Sequence, residues 1–272
     1  MSLLHLTVAD KPHPGLDLLL DSSARTGIQT RVLGLGSTEE VGHGKGFGFK
    51  LRTIKAELAL IPPLQLVMFT DAYDVLLQKS DSLQELIVYL QANPGVVVFA
   101  AEKAKWPDAR EFYPVPLRMP FPYLNSGVYA GRAMDILQLL EAPFDSKTDD
   151  QRYFVKQYLN PGKVRIVLDH DARYFSCFYG LTTENVKTFG AGLGLEVVFP
   201  SGKTKPFAIH LNNGGVRFRW YSSAVRAILG DVQNEKVREV VWRSVVGPFY
   251  AYRNLIALVL LLVCLAVYWI CK

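Results

Sequence analysis

The stretch Leu64–Asp74, LQLVMFTDAYD, decides how this chain is read. Pro62 and Pro63 stop any preceding helix, and LQLVMFT is then an apolar run of the length of a buried strand, ending directly on Asp71. Working outward, LLHLTVA (Leu3–Ala9) predicts a strand, LDLLLDSSART (Leu16–Thr26) a helix and QTRVLGLG (Gln29–Gly36) a second strand. A polar, glycine-rich stretch from Ser37 to Gly48 leads into the helical pattern FKLRTIKAELAL (Phe49–Leu60). Beyond Asp74, SLQELIVYLQA (Ser82–Ala92) predicts a helix closed by Asn93, Pro94 and Gly95, and VVVFAAE (Val96–Glu102) the next strand. This alternation predicts an α/β fold, a Rossmann-like mixed and mostly parallel sheet flanked by helices. Such sheets hold ligands where the carboxyl ends of the strands open into loops, and FTDAYD has that position.

The rest of the chain sets the domain plan. After a proline-rich stretch from Trp106 to Pro122 come the shorter elements SGVYAGRA, MDILQLLEA, DDQRYFVKQYL and VRIVLDH, and residues 222–245 read as helical. One domain over residues 1–248 followed by a tail over 249–272 is expected. In that tail Leu255–Cys271, LIALVLLLVCLAVYWIC, carries no charge and approaches the roughly 20 residues that cross a bilayer. A C-terminal transmembrane helix, serving as a single-pass membrane anchor, is therefore expected. The start MSLLHLTVADKPHP lacks the pattern of a secretory signal, and Arg243 and Arg253 precede the apolar run. The expectation is that the domain over residues 1–248 lies on the cytosolic side. The three cysteines, Cys177, Cys264 and Cys271, cannot staple the body, which agrees with a reducing compartment. A net charge of +5, with no Lys/Arg run interleaved with aromatics, argues against a nucleic-acid partner. Mean hydropathy is +0.14, and the excess sits in the tail.

Several side chains have two readings on residue type alone. Asp71 and Asp74 are hard oxygen ligands suited to Mn²⁺ or Mg²⁺ on a diphosphate, or a loop and helix-cap pair. Asp149 and Asp150 open a helical run and read, taken alone, as N-cap acids that suit the helix dipole. Asn125 and Ser126 in LNSG read as a turn or as polar lining of a pocket. Taken alone, Lys50 reads as an exposed helix lysine, Trp106 as core or the wall of a site, and His210 as a structural histidine in a strand.

The ordered segments AEKAKWPD, PYLNSGVYAGRA, TDDQRYFVKQYL, LDHDARYF and AIHLNN, together with FTDAYD, narrow these readings. From Leu4 to about Tyr221 the chain resembles the glycosyltransferase domain of the procollagen lysyl hydroxylases and the related collagen glucosyl- and galactosyltransferases. The resemblance implies a GT-A fold and a hexosyltransferase that moves glucose or galactose from a UDP-sugar to a hydroxyl of a hydroxylysine-type protein or a glycan. It places Asp71, Asp74 and His210 as ligands of Mn²⁺ (or Mg²⁺), Asp149 and Asp150 at the donor sugar and Asn125 in the sugar pocket. It also implies that Lys50 lies near the diphosphate, that the uracil is held at Thr7 and Val8 mainly by backbone, and that Tyr73, Asn212 and Asp71 also face the donor. The alternative function is a catalytically inactive, membrane-tethered protein that binds a nucleotide sugar or acts as a scaffold. A sugar nucleotidyltransferase is disfavoured, since no glycine-rich, arginine-containing phosphate signature lies near the start. Departures from the family pattern are Leu211 and Asn213 in place of glycines, Arg217 or Arg219 in place of a lysine, and Thr53 in place of a tryptophan. No match to the family's iron-dependent hydroxylase domain occurs, so glycosylation without hydroxylation is expected.

Overall fold

Leu3–Val8 forms strand β1, and the LVMFTD segment Leu66–Asp71 lies beside it as the parallel strand β3, with Val8 opposite Asp71. The computed structural model describes residues 3–39, 46–107, 113, 119–200, 202–212 and 218–231. Between β1 and the second parallel strand β2 (Thr30–Leu33) runs helix α1 (Pro14–Thr26). Its start follows from sequence: His13 accepts a hydrogen bond from the Gly15 N–H, and Pro14 supplies a preset φ where no helical donor is needed. Gly27, at φ 79°, ends the helix in the left-handed region. β2 is shorter than the apolar run Gln29–Gly36 predicts, because Gly34 and Gly36 take φ of 84° and 83° and turn the chain out of the sheet.

Helix α2 (Gly48–Leu58) precedes β3, the short strand β4 (Val75–Leu77) follows it, and helix α3 (Ser82–Ala92) leads into β5 (Val96–Glu102). β6 (Tyr123–Arg132) inserts between β3 and β5 and is antiparallel to both, and β7 (Arg165–Asp169) extends the far edge parallel to β5. The six-stranded order is β2-β1-β3-β6-β5-β7, mixed and mostly parallel as expected. Strand alternation sorts its side chains onto two faces. Val67, Phe69, Val97 and Phe99 pack under α2, α4 (Ala133–Leu139) and α5 (Asp150–Leu159), while Leu66, Met68, Val96 and Val98 pack against α3. The central aromatic stack joins Tyr129 to Phe69 and Phe99, with ring centroids 5.0 and 4.8 Å apart.

Two features of this frame bear on function. Opposite Phe99 and Ala100, β6 carries an irregularity: Tyr129 pairs with Phe99, and Asn125 is the partner of the very next residue, Ala100. Ser126, Gly127 and Val128 are thus bulged between them. The turn residues in LNSG mark this bulge rather than a chain reversal. A second small sheet joins β4 to β12 (Ala208–His210) and β12 to β8 (Phe175–Cys177). Its register sets His210 opposite Val75, the residue after Asp74, and the Leu211 N–H donates to the Asp74 carbonyl at 2.7 Å.

A third sheet, β9 (Val186–Thr188), β10 (Leu195–Phe199) and β11 (Gly202–Thr204), packs near α6 (Phe218–Leu229). The expected helical run 222–245 is met as far as Leu229 and extends N-terminally to Phe218. The predicted transmembrane tail over 249–272, like Asn213 and Arg217, lies outside the described residues. Among the described residues no helix is long and apolar enough to cross a membrane.

Candidate active site

Asp71 ends β3, Asp74 ends the following turn and His210 ends β12, so three separate backbone endings aim three metal-competent groups at one point. One ligand atom from each lies within 4.8 Å of the others. His210 Nε2 is 3.4 Å from Asp74 Oδ2 and 3.8 Å from Asp71 Oδ2. The turn itself is braced by the loop between β1 and α1 and by the start of α1. Tyr73 donates its hydroxyl hydrogen to the Asp10 carboxylate and accepts from the Asp10 N–H at 3.0 Å. A Cβ on Gly15 would come within 2.0 Å of the Tyr73 carbonyl. Burial, reinforced by Asp10, pushes the Tyr73 phenol above its ordinary range.

Gly127 is what lets the bulge approach this cluster. A Cβ there would lie 2.2 Å from His210 Cε1 and 2.8 Å from Asp71 Oδ2, so no residue larger than glycine fits without moving both side chains.

Behind the cluster lies a buried ion pair network. Lys50 is only 4% exposed, and its ammonium sits 2.8 Å from Asp71 Oδ1 and 2.5 Å from Asp150 Oδ2, over the rings of Phe47 and Phe69. Burial opposes its charge, but the two carboxylates outweigh that and raise its pKa. Ser126 Oγ donates to the same Asp150 oxygen at 2.9 Å. Burial raises Asp71 above the ordinary carboxyl range, although Lys50 and His210 pull against it. Asp74 is also desolvated, yet the adjacent imidazole lowers it. For His210 burial is the largest single influence and favours the neutral ring, but Asp74, Asp71 and Glu102 together raise its pKa.

On the other side of His210 the site is built from amides. Its Nδ1 is 2.9 Å from Asn125 Oδ1, which also accepts from the Gly127 N–H at 2.9 Å. Asn125 Nδ2 and Gln151 Nε2 reach Glu102 Oε1 at 3.2 and 2.7 Å, and Asn212 Nδ2 reaches Oε2 at 2.9 Å. Burial raises the Glu102 pKa against these three donors.

Of the residues singled out from sequence, Asp71, Asp74, His210, Lys50, Asp150, Asn125 and Asn212 meet around this crevice. Asp149 is the N-cap of α5, its Oδ1 accepting from the Arg152 N–H at 2.8 Å. Thr7 is fully buried with its hydroxyl donated to the Thr70 carbonyl, and Val8 is buried at the end of β1. Trp106 is not core: it is 53% exposed, and its carbonyl accepts from Gln151 at 3.4 Å. Thr53 lies half-buried in α2, and Leu211, one of the departures, is buried. Glu102, Gln151 and Gly127 went unread as site residues. Glu102 carried a usable signal, since it closes a wholly buried strand with a carboxylate as Asp71 does.

A mixed sheet with helices on both faces and an acid and imidazole cluster at the strand ends defines an α/β domain with its metal-competent groups where such sheets hold ligands. The chain belongs, more narrowly, to the family described as the PLOD GT domain, whose model matches residues 1–219. Among curated proteins it is 32% identical to the procollagen-lysine,2-oxoglutarate 5-dioxygenase of Drosophila melanogaster over 64% of this chain and 25% of that protein. It is 31% identical to procollagen-lysine,2-oxoglutarate 5-dioxygenase 2 of Mus musculus over 77% of this chain and 29% of that protein. Identity to the human multifunctional procollagen lysine hydroxylase and glycosyltransferase LH3 is 32%, with the same coverage of 77% and 29%. The chain thus spans under a third of the length of these relatives.

Proposed function

We propose that this chain is a metal-dependent glycosyltransferase of GT-A type that transfers glucose or galactose from a UDP-sugar to a hydroxyl acceptor of hydroxylysine or glycan type. The observation that carries the reading is the convergence of Asp71, Asp74 and His210 within 4.8 Å, in a chain of the PLOD GT domain family. The residues fit a divalent cation. Two carboxylates and one imidazole form a hard, mostly oxygen donor set suited to Mn²⁺ or Mg²⁺, and the Asn125 amide orients the imidazole from behind. Such a cation, when bound, supplies Lewis-acid stabilisation of the negative charge that develops on a departing diphosphate.

The chain's own groups have distinct tasks. Lys50 pairs directly with Asp71 and Asp150 and adds fixed positive charge beside the diphosphate side of the crevice. Lys50 and Ser126 both engage Oδ2 of Asp150, so Oδ1 is the oxygen we assign to the hydroxyls of the donor sugar. Half-exposed Trp106, joined to Gln151 through its carbonyl, offers an apolar wall for the acceptor or the sugar. The test is release of UDP from UDP-glucose and from UDP-galactose by the full chain, with Mn²⁺ and after its chelation. Mn²⁺-dependent release supports the reading, and release that persists unchanged in Asp71→Asn or Asp74→Asn overturns it.

A further inference from the structure

We propose that Asn125, anchored by Glu102, is a positioning residue that holds His210 as its Nδ1–H tautomer and so turns the Nε2 lone pair toward Asp71 and Asp74. Three amides in the site have orientations that are each set by a backbone N–H. Asn125 Oδ1 accepts from Gly127 at 2.9 Å, Gln151 Oε1 from Ser126 at 3.3 Å, and Asn212 Oδ1 from Tyr179 at 3.1 Å. Only the carbonyl end of an amide can accept from an N–H, so all three NH₂ groups must point the other way. They converge on Glu102, at 3.2, 2.7 and 2.9 Å, and occupy both of its oxygens with donors. An ionised carboxylate, an acceptor at every lone pair, is the species that satisfies that arrangement.

With Asn125 locked in this way, its Oδ1 faces His210 Nδ1 at 2.9 Å as an acceptor. Nδ1 must therefore carry the hydrogen, since the other neutral tautomer would set two lone pairs against each other in a buried space. Among the described residues Cys177 Sγ also lies near Nδ1, at 3.9 Å, too long and too weak to compete. A neutral ring with its hydrogen on Nδ1 leaves Nε2 as the donor atom, and Nε2 is the nitrogen that faces Asp74 and Asp71. The sugar-pocket role expected of Asn125 thus gives way to one behind the metal ligand: its oxygen and its NH₂ are both engaged inside the protein.

The inference rests on the metal reading for its consequence but not for its first readout. Full-length protein labelled with ¹⁵N-histidine, studied without metal at a pH where the ring is neutral, reports the tautomer through long-range ¹H–¹⁵N correlations, with His210→Gln identifying the signal. The expected result is a single Nδ1–H tautomer for His210, retained in Asn125→Asp, which keeps an acceptor, and replaced by mixed or Nε2–H forms in Asn125→Leu. In parallel, the affinity for Mn²⁺ alone, read by loss of the free-ion EPR signal, should fall about 10- to 100-fold in Asn125→Leu and less in Glu102→Gln. An Nε2–H ring in the unmodified protein overturns the proposal even if Asn125→Leu does not fold. So does an unchanged tautomer in a folded Asn125→Leu, while full affinity in Glu102→Gln removes Glu102 from the proposal. An Nδ1–H ring in a protein that binds no Mn²⁺ upholds the positioning role and sinks the metal reading.

Discussion

Two buried histidines, His5 on β1 and His210 on β12, have opposite chemistry although both sit in short apolar strands. His5 is fully buried between the hydroxyls of Thr30 and Thr70, at 2.8 and 2.9 Å, and burial drives its pKa down from 6.5 to about 3. His210 is as deeply enclosed, but the Asp71 and Asp74 carboxylates stand over its Nε2 and raise its pKa. Burial alone therefore does not decide what a histidine does; the groups that neighbouring strands bring to it do. The first is a hydrogen-bonded core group, the second a metal-competent group beside two carboxylates.

The largest effect expected from this contrast is loss of the acids around His210. Replacing both Asp71 and Asp74 with Asn should remove Mn²⁺ binding and lower UDP-sugar turnover at least about 10⁴-fold, upward of about 5 kcal/mol in the barrier. Calorimetric titration with Mn²⁺ and an assay for released UDP check it. Turnover within tenfold of the parent protein would break the contrast, because His210 would then be no more a ligand than His5.

His5 supplies the next effect. Its folded pKa of about 3 lies below the value of 6.5 taken for the unfolded chain, so in that window the unfolded state binds the extra proton. The stabilisation is complete above pH 6.5 and is lost as pH falls toward 3. At about 1.4 kcal/mol per unit this amounts to about 3 kcal/mol between pH 6.5 and pH 4. Urea unfolding of the parent and of His5→Gln at several pH values should show a steep acid loss in the first and a flatter one in the second. Parallel curves would mean that His5 is not held neutral.

The same contrast explains what the sequence disclosed. Helix Ser82–Ala92 and strand Val96–Glu102 match the structure residue for residue, since a 3.6-residue period and a continuous apolar run each have one structural answer. Asp71 could be placed because it ends such a run. LLHLTVA and AIHLNN, by contrast, are alike as local strings: nothing near His210 in sequence announces Asp74, which is 136 residues earlier and arrives only through the β4–β12 pairing. Asp149 and Asp150 are adjacent yet diverge for a similar reason. The first caps α5, whereas the second turns inward to Lys50, a partner that comes from α2. The role of Asn125 was hidden by a bulge, whose cost in pairing partners a single strand of sequence does not display.

A smaller effect tests how tightly the His210 side is built. Gly127→Ala adds a Cβ 2.2 Å from the imidazole and 2.8 Å from Asp71, so both side chains must shift. A stability loss of about 1–3 kcal/mol is expected from the overpacking, with weaker Mn²⁺ affinity. Chemical denaturation and Mn²⁺ titration measure the two separately. Affinity that survives a normal fold would show that the cluster tolerates displacement, contrary to the close fit seen here.

The smallest effect separates burial from hydrogen bonding at His5. Thr30→Val removes one of the two hydroxyls on the ring and leaves the surrounding apolar packing similar in volume, so stability at neutral pH should fall by about 1 kcal/mol. If burial holds the ring neutral, the acid slope of the variant must stay parallel to that of the parent, since an unpartnered but equally buried imidazole is no easier to charge. If the Thr30 hydroxyl were what stabilised the neutral form, the slope would shrink along with the stability. That second outcome would bring His5 closer to His210, making both rings governed by specific partners, and it would leave burial as a background common to the two.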